Sequence, residues 1–119
     1  MQQPIQIVRG TTHTLYINLA DKSGNAYVLA ENETLRFALK HRPEDKQTEI
    51  VKDIGATEYD EEGHCYVLRL SPSETEALTL GRHFYDIGMQ SGTDYIPVIG
   101  CSTADILPNI SSRAVDDDV

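Results

Sequence analysis

Strict alternation of apolar and polar residues constrains this chain more than any other feature. In "THTLYINLA", His13, Leu15, Ile17 and Leu19 fall on one side and Thr12, Thr14, Tyr16 and Asn18 on the other. "TLRFALKHR" sets Leu35, Phe37 and Leu39 against Arg36, Ala38 and Lys40. "HCYVLRLS" sets Tyr66, Leu68 and Leu70 against Cys65, Val67 and Arg69. A period of two with one apolar face describes strands of a half-solvated sheet. "IQIV" at 5–8 and "EIVKDI" at 49–54 are shorter candidates. "DKSGN" at 21–25, "DEEGH" at 60–64 and "QSGTD" at 90–94 punctuate the runs, each with a glycine expected to take positive φ. Short strands and turns at this spacing predict a sandwich or barrel.

One segment departs from the pattern. "SPSETEALTLG" reads as a short helical turn near 72–79, with Ser71 and Glu74 as a capping box and Pro72 at the first helical position. Gly81 is suited to ending it. The turn is expected to carry the chain from one sheet to the other.

"LGRHFYDIGMQ" places His83, Tyr85 and Asp86 close together in sequence, which raises a catalytic cluster as one reading. On a strand, His83, Tyr85, Ile87 and Met89 share one side, while Arg82, Phe84, Asp86, Gly88 and Gln90 take the other. Tyr85 and Asp86 cannot share a site without a bulge, and no nucleophile sits beside His83. The strand reading is preferred. The following "DYIPVIG" leaves neither face polar. Pro97 lacks the ladder donor, which confines it to an edge strand or a bulge. An edge apolar on both sides needs a cover. That cover is either the chain's own tail or helical turn, or another subunit, which makes Tyr95, Ile96, Pro97, Val98 and Ile99 the candidate interface.

The formal charge of −9, from 10 basic and 19 acidic residues, gives no basic surface for phosphates. Neither nucleic acid nor an anionic membrane is an expected partner. The N-terminus shows no basic head followed by an apolar run, so no signal peptide is read there. Cys65 and Cys101 are read as buried small hydrophobes in a reducing compartment, with a disulfide left open should their strands be neighbours. His13, His41, His64 and His83 lack metal-ligand spacing, and no GxSxG elbow or phosphate-cradling loop occurs. "YDEEG" reads as a solvated hairpin tip rather than a calcium loop. No catalytic residue, metal site or cofactor is expected.

Taken in order, "IQIVRGTTHTLYINLAD", "SGNAYVL", "TLRFALKHRPED", "GHCYVLRLSPSETEALTLGRHFYDIGMQ" and "DYIPVIGCSTADILPNI" resemble the immunoglobulin-like N-terminal domain of phage baseplate upper proteins and related tail attachment proteins. The likeness covers about residues 5–110 and is most specific from "YVLRLSPSET" through "LGRHFYDIGM" to "PVIG". Where the family usually has an acidic residue after its opening Arg-Gly, this chain has Thr11. The resemblance implies a β-sandwich that oligomerises and attaches other tail components, with no catalytic residues to carry over.

The combined expectation is an all-β, immunoglobulin-like β-sandwich of about seven antiparallel strands over residues 1–108, followed by an acidic mobile tail at 109–119. Its expected role is non-enzymatic assembly within a phage or prophage tail, bound to other tail proteins, with a homo-oligomer left open. The chain would be made in a bacterial cytoplasm and end in the virion. A carbohydrate-binding or adhesion module is the other reading, with Tyr16, Tyr27 and Tyr59 as its free aromatics.

Overall fold

The computed structural model describes residues 3–109. Most of the tail expected at 109–119 lies outside the described residues. Among the described residues there are eight strands: β1 (Ile5–Val8), β2 (His13–Ile17), β3 (Glu33–Lys40), β4 (Ile50–Ile54), β5 (Tyr59–Asp60), β6 (Cys65–Leu70), β7 (Gly81–Ser91) and β8 (Asp94–Leu107). One sheet runs β1-β8-β7-β3-β4 and the other β2-β6-β5. This order is that of an immunoglobulin-like sandwich with an added strand beside β3, as in variable-type domains. There is one strand more than the seven expected, and one pair is parallel. β1 lies along β8 from Ile5↔Ala104 to Val8↔Leu107. The chain then turns at Gly10, whose φ is +76°, and enters the opposite sheet as β2.

The alternation dictates which side chains meet between the sheets. Leu35, Phe37 and Leu39 from β3 face Tyr66, Leu68 and Leu70 from β6, all fully buried. Ile7, Ile17, Ile54, Tyr85, Ile87, Ala104 and Ile106 complete this layer. Each large aliphatic side chain removed from water stabilises by roughly 1.5–3 kcal/mol. Without tryptophan, Tyr66 and Phe37 are the largest fully buried residues. The buried tyrosines keep their hydroxyls satisfied: Leu29 N–H donates to Tyr66, and Tyr85 donates to the Gln3 carbonyl.

Helix α1 (Pro72–Glu76) links β6 to β7 and so passes from one sheet to the other. Ser71 Oγ accepts from Glu74 N–H, and Glu74 reaches back to the Ser71 N–H at 2.8 Å. The helix is shorter than the expected 72–79, ending at Ala77 instead of Gly81. Gly81, at φ +110°, turns the chain into β7. Lys52 extends from β4 to pair with Glu74 at 2.9 Å, tying the helix to the larger sheet.

Two expectations need correction. In "DEEGH" the left-handed residue is His64, at φ +53°, whereas Gly24 and Gly92 take positive φ in their turns as expected. Gly63 serves closeness instead, since a Cβ there would lie 3.1 Å from Asp60 Oδ2 and 3.2 Å from Cys65 Sγ. The two cysteines are free, and only Cys65 is buried. Cys101 is exposed because it sits on the outer side of β8, on the opposite face from buried Ser102.

Candidate functional site

β8 is fourteen residues long, but β1 covers its outer edge only from Ala104 to Leu107. Among the described residues no strand pairs with that edge over 94–103. This half also slips twice against β7. Between Tyr85↔Ser102 and Ile87↔Ile99, β7 advances two residues and β8 three. Between Ile87↔Ile99 and Gly88↔Pro97, β7 advances one and β8 two. Pro97 is therefore tolerated for both reasons the sequence allowed, an open edge and a bulge.

The slips also explain why "DYIPVIG" has no polar face. They break the alternation, so consecutive apolar residues meet different surroundings. Val98 and Ile99 are half-buried and pack against the core. Tyr95 is 50% exposed, Ile96 45%, and Pro97 is exposed. Beside them lies a groove of about 530 Å³, lined by Leu19, Tyr27, Met89, Ile96, Pro97 and Val98. The five candidate interface residues are contiguous, yet only three of them present their side chains outward.

Tyr95 lies across the outer face of the larger sheet, directly over Gly88. Partial burial there pushes its hydroxyl above the usual tyrosine pKa. The nearby Asp86 charge adds to the rise and Arg36 opposes it. Arg36 forms a two-pronged pair with Asp53 at 2.8 and 3.0 Å. The open strand is thus anchored by an aromatic ring set among fixed charges.

The catalytic reading of "HFYD" meets a plain geometry. His83 and Tyr85 point into the core, while Asp86 is exposed on the outer face. His83 instead meets two residues that sequence spacing did not connect. His41 follows β3, Glu49 precedes β4, and their ligand atoms with that of His83 all lie within 4.8 Å of one another. No motif could reveal this cluster, because it depends on the register that sets Lys40 beside Phe84. Of the three aromatics considered for a sugar platform, Tyr16 is 67% exposed. Tyr59 packs on Tyr66 with ring centroids 5.0 Å apart, and Tyr27 donates its hydroxyl to Glu33 at 2.7 Å.

No known family's sequence profile matches the chain, and no curated protein matches it. Among solved structures the chain is similar to Tim-2, with 12% identity over 95% of this chain and 98% of that one, at a TM-score of 0.45. It is also similar to Tim-1, with 15% identity over the same shares and a TM-score of 0.44. The fold assignment rests on the strand order itself.

Proposed function

We propose that this chain is a non-enzymatic structural subunit of a phage or prophage tail, acting through protein–protein contacts at residues 95–99. The observation that carries the contact is the apolar, exposed half of β8 on a sheet edge that no strand covers among the described residues. The tail assignment rests on the resemblance of the sequence to baseplate upper domains. An extended segment of another tail protein would add to β8 as a strand, its backbone bonding the free edge. Its apolar side chains would enter the groove beside Ile96 and Val98. Two copies of a −9 chain repel each other at long range, which favours a different tail protein over self-pairing.

The test is immunogold labelling of particles from an induced host, beside a variant carrying Ile96→Lys. Label on the tail, lost at least tenfold in the variant, supports the reading. A chain that stays monomeric at high micromolar concentration, and that no tail protein accompanies on purification, contradicts it. A dimer abolished by Ile96→Lys would keep the surface and replace the partner with a second copy.

A further inference from the structure

We propose that His41, Glu49 and His83 form a binding site for a divalent transition metal of the zinc type. The site is independent of the contact strip, for it lies at the opposite end of β7.

Three elements deliver the ligands. Glu49 is fixed relative to β3 because its N–H donates to the Leu39 carbonyl at 2.7 Å. His41 directly follows β3, and the β3–β7 register sets it next to His83. The two rings meet edge to face, 4.9 Å apart. His83 is fully buried and the Glu49 carboxylate is held beside it and Thr79, whereas His41 is exposed.

The hydrogen bonds define which nitrogen is offered. A backbone carbonyl only accepts, so in the 3.1 Å contact between His83 Nδ1 and the Gly81 oxygen the ring donates from Nδ1, which leaves Nε2 as the nitrogen directed at Glu49. Donation from the non-ligating nitrogen to a carbonyl is how metal-binding histidines are usually oriented. Nε2 faces Glu49 Oε2, 3.2 Å away. Thr79 Oγ1 lies 3.0 Å from Nε2 and 3.4 Å from Oε2, and the Thr79 N–H reaches toward Glu49 Oε1 at 3.5 Å. A cation between Nε2 and Oε2 would bind both, with His41 as its third ligand.

Distances and access fit the same ion. Ligands held at about 2.0–2.1 Å in a tetrahedron stand roughly 3.3 Å apart, which the His83–Glu49 pair already matches. A rotation of the exposed His41 ring completes the triad. Two imidazoles and a carboxylate suit zinc, cobalt or nickel rather than calcium or magnesium, which prefer oxygen alone. His41 and Glu49 open into a cleft of about 470 Å³ that Asp45, Lys46, Gln47 and Thr48 also line, leaving room for a fourth ligand.

The test titrates Zn²⁺ and Co²⁺ into the tag-free, chelator-treated full chain by calorimetry, with unfolding temperature and the Co²⁺ visible spectrum as further readouts. One equivalent should bind and raise the unfolding temperature by several degrees. His41→Ala and Glu49→Gln should weaken binding at least tenfold and shrink the metal-induced rise, each read against that variant's own metal-free unfolding temperature. Failure of the parent chain to bind stoichiometrically would overturn the site. So would equal binding by the parent chain and His41→Ala.

Discussion

The ring of Tyr95 rests on the backbone of Gly88, so close that a Cβ at residue 88 would fall 2.2 Å from both Cζ and the hydroxyl oxygen. The glycine is thus required by contact, not by an unusual φ. Gly88→Ala should push the ring off the sheet. Because Tyr95 is half exposed, the ring has somewhere to go, and the stability cost should stay below the ~1–3 kcal/mol typical of an overpacked interior. The hydroxyl should lose its partial burial, so its pKa should fall back toward the ordinary tyrosine value. Absorbance titration of the variant against the parent chain measures this directly.

Ser71 and Glu74 hold the crossing between sheets. Ser71→Ala removes the oxygen that accepts from the Glu74 N–H and should cost about 1 kcal/mol. A shifted urea midpoint with unchanged slope is the expected result.

Acid should destabilise the fold in two stages. Burial lowers the His13 pKa from its ordinary 6.5, so the folded state resists protonation that the unfolded chain accepts. That contribution is complete above about pH 6.5 and is lost as pH falls through the lowered value. Glu33 lies below its ordinary 4.5, first because Ala30 N–H donates to it and then because the Tyr27 and Ser91 hydroxyls do. Glu74 is lowered chiefly by the Ser71 N–H and next by Lys52. These contributions are complete above the usual carboxylate range and fade as pH drops through the lowered values. Urea midpoints across pH should therefore fall once below about pH 6.5 and again below the usual carboxylate range. His13→Gln should flatten the first fall and Glu33→Gln part of the second.

The cysteines should separate by accessibility. In the native protein one equivalent of thiol reagent should react readily at exposed Cys101, and the second only on unfolding, at buried Cys65. Loss of both thiols at one rate would contradict the placement.

Faces were legible in the sequence and registers were not. Period two alone set Leu35, Phe37, Tyr66 and Leu68 on the apolar side against Arg36 and Arg69, and His83 and Tyr85 on the side opposite Asp86, because a strand's side chains must alternate. The capping box was legible because it is a local bond over three residues. "PVIG" marked its own irregularity through Pro97, though which of edge or bulge applied needed the neighbours of β8. His41, Glu49 and His83 carried no signal. They meet only when β3, β4 and β7 align, and nothing local encodes that alignment. His64 took the left-handed turn position expected of Gly63 because the space beside Asp60 and Cys65 claimed the glycine.

Amide hydrogen exchange over residues 94–101, free and in the assembled tail, tests the contact surface most directly. Pro97 has no amide, and the remaining N–H groups that point away from β7 have no strand to protect them among the described residues. They should exchange quickly in the free chain and at least tenfold more slowly in the assembly, with β2 unchanged between the two. Equal exchange in both states would show that nothing docks on this edge.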